Sequence, residues 1–273
     1  MQTLILDLPT PTKMYTKALF AGRHVHKIKS QYASMKGKKN PNAGRPLKKN
    51  TAALNERDQE SIRKSINRSR KNLKQHFLCN FYESYTFITL TFADTEKFDI
   101  RDVRQCIEQF KGFRKRLAVR ITRQKKQEPL KCLGVIEFQD KNRNGAVHIH
   151  LVSNVTTMTV QEIQDIWGLG TLDLKHINGS AYTDPKIIYY LLKGIEDSRL
   201  NVLGQRYLTS HRLDKPLEKP ILNEQLFDEA VKKLKPISSE SYSYQTPYTG
   251  EVYNEEHLFK NRKDVIYLEE LCQ

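Results

Sequence analysis

The sequence lacks several features that would place it in common classes of protein. Its four cysteines are far apart and form no CxxC pair, which argues against a structural zinc site and against a disulfide scaffold. It has no apolar run of about 18 residues and no apolar leader, so we expect a cytoplasmic protein that does not enter a membrane. The P-loop pattern is also missing, so we expect no ATP-driven motor in the chain.

Acidic residues are scarce near the start of the sequence. Residues 1–80 contain 18 Lys or Arg against 4 Asp or Glu, and they carry almost all of the net charge of +15. Such an excess in a segment with little apolar content indicates a polyanionic partner, whose phosphates the side chains neutralise. We therefore expect the chain to bind nucleic acid, and we interpret residues 1–52 as a basic flexible arm that orders on its partner. A merely solvated tail is the alternative.

Residues 53–80 have the pattern of an amphipathic helix. Apolar residues recur at helical spacing from Ile62 to Phe77, and no proline or glycine interrupts them. We predict that the basic side chains on the opposite face contact DNA phosphates, although a solvated surface helix would show the same pattern. These side chains are Arg63, Arg70, Lys71 and Lys74.

Residues 81–200 alternate between strand and helix patterns. This order predicts an α+β fold in which a mainly antiparallel central sheet of about five strands is flanked by helices. The predicted strands are 85–94, 133–138, 147–153 and 170–177, and the predicted helices are 101–124, 159–167 and 184–195. Residues 201–273 form a C-terminal extension, for which we predict a helix near 222–235 and tyrosine-rich strands near 241–253.

Two histidines in a predicted strand form a candidate metal site. His148 and His150 are two residues apart, so a strand places both imidazoles on one face. Glu137 lies on the preceding strand, and a hairpin can bring it beside them; Gln139, on the same strand face, is the competing third ligand. Two imidazoles with one carboxylate leave open positions and suit Mg²⁺ or Mn²⁺. A structural role for a lone HxH pair is the alternative.

The chain contains a second HxH pair that serves as an internal comparison. His24 and His26 have the same spacing, but they stand among Arg23, Lys27 and Lys29, with no acidic residue nearby in sequence. Because these cations would repel a metal ion, we assign this pair to the basic arm.

The predicted helix 184–195 carries a candidate nucleophile. Tyr190 and Lys193 are three residues apart and share a helix face. Tyr189 is about 100° away around the helix, so only one of the two tyrosines can face the histidines. For Tyr189 the simpler interpretation is packing in the core.

Taken in order, three motifs resemble those of HUH endonucleases, specifically the rolling-circle replication initiators of bacterial plasmids and related phages. The motifs are Phe87–Phe92 (FITLTF), His148–His150 (HIH) and Ile187–Lys193 (IIYYLLK). The resemblance implies an HUH/RRM-like fold, a metal ion held by His148, His150 and Glu137, and Tyr190 as the nucleophile assisted by Lys193. Gly194 stands four residues after Tyr190, so the chain resembles the single-tyrosine type. The segment between Glu137 and His148 is longer than in those relatives, which leaves the third ligand open.

The resemblance also implies a function. Such a protein nicks one strand of single-stranded or hairpin origin DNA, forms a 5′-phosphotyrosine link and a 3′-OH primer, and later rejoins the displaced strand. A host helicase and polymerase would be partners, and termination would need a second subunit, as in a homodimer, or an activated water molecule. A single-tyrosine HUH transposase and a non-catalytic nucleic-acid-binding module are the alternatives.

Overall fold

The computed structural model of the chain describes residues 14–32, 56–123, 128–178, 185–246 and 249–272. The strands in these residues are β1 Tyr15–Ala21, β2 His24–Ser30, β3 Tyr85–Thr91, β4 Cys132–Gln139, β5 Ala146–Ser153, β6 Leu172–Ile177, β7 Leu208–Thr209, β8 Leu217–Pro220, β9 Ser238–Thr246 and β10 Gly250–Leu258. The α-helices are α1 Glu56–Asn80, α2 Val103–Arg123, α3 Asp140–Arg143, α4 Val160–Trp167, α5 Pro185–Gly194, α6 Glu224–Leu234 and α7 Arg262–Glu270. The chain divides into two compact units, residues 45–215 and residues 1–44 with 216–273.

The unit of residues 45–215, here the central unit, is built on an antiparallel sheet with strand order β6-β3-β5-β4-β7. Helices α2 and α4 pack on one face of the sheet through a core that includes Phe113, Leu117 and Trp167. Helices α1 and α5 pack on the other face through Phe77 and Leu191. The predicted α+β fold with a mainly antiparallel sheet flanked by helices is confirmed.

Local sequence patterns explain most elements of the central unit. In β3 the residues Ile88 and Leu90 are buried against α2, while Phe87 and Thr89 face the other side, as the period-2 alternation predicts. Helix α4 begins with a capping box, in which Thr159 and Glu162 exchange side-chain and backbone hydrogen bonds. Helix α1 buries Leu73 and Phe77, as expected for its apolar stripe.

The second unit, here the terminal unit, joins both ends of the chain in one antiparallel sheet with strand order β8-β1-β2-β10-β9. Its core lies under α6 and α7, where Phe20 and Val25 meet Phe227 and Val265. The expectation of a flexible arm is therefore wrong for residues 15–30, which form β1 and β2. These strands form because Ala18, Phe20 and Val25 are apolar enough to fill a core that distant residues complete.

Other parts of the predicted organisation lie outside the described residues. Residues 1–13 and 33–52 of the predicted arm belong to this group, as does Asp184, the predicted N-cap of the helix that carries Tyr190. Within the described ranges, no helix combines the length and apolar content needed to cross a bilayer.

Candidate functional site

The hairpin of β4 and β5 places the two histidines and Glu137 on one face of the central sheet. Glu137 pairs with His148 across the hairpin, and His150 pairs with Thr89 of β3. The pairing continues for two residues beyond Glu137, to Gln139 opposite Ala146, before a loop that contains the short α3. The long segment between Glu137 and His148 is thus mostly paired strand and tight turn, and it does not move Glu137 away from the histidines.

Helix α5 brings Tyr190 to the same face. Its Oη lies 2.7 Å from Nε2 of His150 and donates a 2.8 Å hydrogen bond to Oε2 of Glu137. Nε2 of His150 is itself 2.8 Å from the same carboxylate oxygen. Tyr189 is 72% exposed against 37% for Tyr190, so Tyr189 faces solvent and does not pack in the core as expected. The structure therefore brings Glu137, His150 and Tyr190 into one hydrogen-bonded group.

Burial keeps both imidazoles uncharged at neutral pH. Burial, with the neighbouring His150 and Arg143, lowers the pKa of His148 to about 4. Burial also lowers the pKa of His150, against the opposing effect of the Glu137 carboxylate. Neutral imidazoles are the form that binds metal ions, so both residues are in the protonation state that the predicted role requires.

The environment of Tyr190 favours the protonated phenol. Burial raises the pKa of Tyr190, and the hydrogen bond to the Glu137 carboxylate raises it further. Burial alone would also raise the pKa of Glu137, but hydrogen bonds from His150 and Tyr190 hold that pKa below its usual value. Glu137 is thus an ionised acceptor next to a phenol that retains its proton.

Three contacts around the site had not been singled out from the sequence. Thr89 Oγ1 lies 3.1 Å from Nδ1 of His150 and can donate or accept there, which orients the ring for either tautomer. The ring of Phe87 stacks on His150 at 5.9 Å and meets Tyr190 edge to face at 6.1 Å. Arg143 Nη1 lies 3.3 Å from Nε2 of His148. The alternation of β3 had placed Phe87 and Thr89 on one face, which was the available signal for the first two contacts.

The donor set fits a divalent cation in its chemistry. Two neutral imidazoles and a carboxylate share one face, and the buried Nδ1 of His148 has no hydrogen-bond partner among the described residues. The side chains are arranged as a hydrogen-bonded cluster, however, and the described ranges hold no group of three or more His, Cys, Asp or Glu placed to bind a metal ion. A cation at Nε2 of His148 would require the Arg143 guanidinium to move.

The remaining predicted site residues are not drawn into this group. Lys193 is exposed on α5, and the described residues give its side chain no hydrogen bond or ion pair. Gln139 is half-buried at the end of β4, two residues beyond Glu137. On α1, Arg63 and Lys71 are exposed, Lys74 is half-buried and Arg70 forms an ion pair with Glu196. Their predicted contact with DNA stays a prediction.

A cavity of about 350 Å³ opens beside Tyr190. Phe87, Ile177 and Ile187 give it apolar walls, while Asp173 and Lys175 of β6 add two charged side chains. The site therefore has a mixed apolar and polar surface next to the phenol.

Comparison with known proteins gives one match, and it spans this site. Residues 85–197 match the family of the replication-associated protein ORF2. The match runs from β3 past α5 and includes both histidines, Glu137 and Tyr190, but it covers less than half of the chain. No curated protein and no solved structure matches the chain. The similarity to replication-associated proteins supports a Rep-like replication initiator and is consistent with the binding of origin DNA.

Proposed function

We propose that the protein nicks one DNA strand at a replication origin by metal-dependent transesterification, as HUH endonucleases of the single-tyrosine type do. The observation that carries this proposal is the position of Tyr190, whose hydroxyl lies within hydrogen-bonding distance of both His150 and Glu137. A tyrosine placed in this way can act as a nucleophile beside a base. The match of residues 85–197 to replication-associated proteins supports the same class of function.

In the proposed reaction, Oη of Tyr190 attacks the phosphorus of a single-stranded substrate. The bond between Oη and phosphorus forms while the bond from phosphorus to the 3′ oxygen breaks, which leaves a 5′-phosphotyrosine. Glu137 accepts the phenolic proton, and the departing 3′ oxygen takes a proton from water to become the 3′-OH primer. The number of phosphoester bonds is unchanged, so attack by a 3′-OH on the phosphotyrosine can rejoin the displaced strand without ATP.

The raised pKa of Tyr190 means that the phenolate must be favoured during the reaction. Mg²⁺ or Mn²⁺, bound by His148, His150 and Glu137, would supply positive charge next to the scissile phosphate. The chain's own residues have three tasks: His150 and Glu137 orient the hydroxyl, Thr89 orients His150, and α5 holds Tyr190 in place. Lys193 would assist only if its exposed side chain turns toward the bound phosphate.

Partners follow from what the chain does not provide. Gly194 occupies the position four residues after Tyr190, so termination needs either a second subunit of a homodimer or a water molecule activated by another residue. Strand separation and synthesis would fall to a helicase and a polymerase of the host.

A covalent adduct tests the nucleophile directly. We expect the purified protein, with Mn²⁺ and labelled single-stranded origin oligonucleotides, to form a protein–DNA adduct that survives denaturation. Tyr190→Phe should abolish the adduct, whereas Tyr189→Phe is the matched control and should retain it, because Tyr189 is exposed to solvent. EDTA should prevent adduct formation in both proteins that are active.

Each other outcome has a distinct meaning. An adduct that survives in Tyr190→Phe and disappears in Tyr189→Phe would transfer the nucleophile to the neighbouring residue. Tight binding without an adduct on any strand would favour the non-catalytic nucleic-acid-binding module. Joining of cleaved ends into unrelated target DNA, without primer extension, would favour the transposase.

A further inference from the structure

A second cavity of the central unit lies among residues that the proposed reaction does not use. It has a volume of about 460 Å³ and lies between α1 and the segment of residues 200–209. Ser61, Ser65 and Ser69 line it from α1 at a spacing of four residues, which places three hydroxyls along one face of the helix. None of its lining residues is acidic. The cavity is therefore suited to a polar ligand that is not a cation.

Arg206 supplies the charge of this cavity. Its side chain lines the cavity but is only 7% exposed. Nη1 donates a 2.9 Å hydrogen bond to the carbonyl oxygen of Ile195, just after the end of α5, and Nη2 donates to Oδ1 of Asn201. A guanidinium has five N–H donors, so these two bonds leave donors available for a ligand.

No carboxylate balances this cation. Among the described residues, the hydrogen bonds of the Arg206 side chain go to a carbonyl and an amide, and it forms no ion pair. Burial accordingly lowers the pKa of Arg206. A buried cation without a counter-charge is costly, and an anion that enters the cavity would relieve this cost.

We propose that this cavity binds a backbone phosphate of DNA. Guanidinium and hydroxyl donors are the groups that bind phosphate oxygens in protein–DNA interfaces. The exposed Arg68, three residues after Ser65 on α1, stands beside the cavity, so a neighbouring phosphate of the same strand can be neutralised there. This second contact favours a polymeric ligand over a free phosphate ion.

A charge placed on the cavity wall tests the proposal. Ser65 is exposed on α1, so the fold should accept Ser65→Asp, and Ser65→Asn is a control of nearly the same size without the charge. Binding of a labelled single-stranded oligonucleotide is measured against salt concentration in EDTA, so that nicking does not contribute. We expect Ser65→Asp to reduce the slope of log K against log salt by about 0.7, the value for one lost phosphate contact on a single strand. Ser65→Asn should keep the slope of the unchanged protein.

The result also identifies the source of the phosphate. Equal slopes for Ser65→Asp and Ser65→Asn would overturn the proposal. In a second arm, inorganic phosphate is added during thermal unfolding. Stabilisation that Ser65→Asp loses, with no change in the DNA slope, would assign the cavity to a free phosphate or a mononucleotide and would equally overturn a role in DNA binding. Arg206→Gln is less direct, because it also removes the hydrogen bond to Ile195.

Discussion

Glu137 is the residue on which the chemistry of the candidate site depends most. Its Oε2 atom is hydrogen-bonded to both His150 and Tyr190, while Gln139 lies two residues farther along β4. The sequence left these two residues as equal candidates for a third ligand. Only the register of the hairpin, with Glu137 opposite His148, brings one of them to the group.

We predict that Glu137→Gln lowers the initial rate of adduct formation by roughly 10²-fold to 10³-fold, because the phenol loses its charged proton acceptor. Gln139→Ala should stay within a few fold of the unchanged protein. Single-turnover assays with Mn²⁺ measure both rates. A larger loss in Gln139→Ala than in Glu137→Gln would reverse the assignment of the third ligand.

Lys27 shows how far a sequence neighbourhood can differ from a structural one. The side chain of Lys27 is 4% exposed, and its Nζ lies 2.6 Å from Asp228 and 3.1 Å from Glu224, both on α6. Burial alone would lower the pKa of Lys27, but these carboxylates raise it. The pKa of Glu224 is in turn held low by Lys29 and Lys27 despite burial. The neighbourhood that looked purely basic in sequence is therefore an ion-pair cluster.

We predict that Lys27→Met lowers the free energy of unfolding by on the order of 2 kcal/mol near pH 7, because it leaves half-buried carboxylates without their partner. A carboxyl with a lowered pKa stabilises the fold above its unfolded pKa and loses that effect as the pH falls. The difference between Lys27→Met and the unchanged protein should therefore shrink below about pH 4.5, the ordinary pKa of a Glu side chain. Urea unfolding at both pH values measures it.

Lys29→Met is the matched control for this prediction. Lys29 also contacts Glu224, but it is 33% exposed, so we expect a smaller loss of stability. Equal losses for the two variants at neutral pH would show that burial of Lys27 does not matter for the cluster.

Helix α5 lies close to the sheet because of one small residue. A Cβ atom on Gly194 would lie 3.0 Å from Cγ2 of Val135 and 3.2 Å from the carbonyl oxygen of Ile136. Val135 is buried on β4, so it has little room to move. Gly194 thus sets the distance between β4 and the helix that carries Tyr190.

We predict that Gly194→Ala lowers the free energy of unfolding by about 1 kcal/mol or more through overpacking, and that it slows adduct formation because Tyr190 shifts. Gly112→Ala on α2 is the control. A Cβ there meets only the end of the Arg116 side chain at 3.4 Å, so helix propensity should raise stability by roughly 0.5–1 kcal/mol. Calorimetry and adduct rates compare the two. A stabilised Gly194→Ala with an unchanged rate would contradict close packing at this point.

The elements of the central unit were largely predictable from local patterns. Strand alternation located β3 and β5, and helical spacing located α2 and α5, because each of these elements buries one face against a layer of the same unit. The first two strands were not predictable in this way. Polar and basic residues occupy much of β1 and β2, and their apolar positions have meaning only beside α6 and α7, some 200 residues later.

The terminal unit depends on strands from both ends of the chain. Strand β2 pairs with both β1 and β10, so it joins the two parts of the sheet. We predict that deletion of residues 1–32 unfolds α6 and α7, because the core loses Ala18, Phe20 and Val25. The central unit should stay folded. Hydrogen exchange of the α7 amides measures the loss, and full protection after the deletion would restore the interpretation of this segment as an arm.

A substitution tests the same dependence in the full-length chain. Phe20 is 2% exposed, so Phe20→Ala should lower the stability of the terminal unit by about 3–5 kcal/mol. Leu19 is half-buried on the opposite face of β1, so Leu19→Ala should cost less. Equal losses would contradict the assignment of the core to one face of the sheet.

The sequence by itself determined the α+β character of the central unit, the shared face of His148 and His150, and the presence of a carboxylate and a tyrosine that could join them. These features depend on short periods along the chain, which strands and helices convert directly into faces. Only the tertiary structure decided that Tyr190 and not Tyr189 faces His150, that Glu137 and not Gln139 reaches it, and that Lys27 is paired. Those outcomes depend on hairpin register, helix rotation and the meeting of distant segments, which no local pattern encodes.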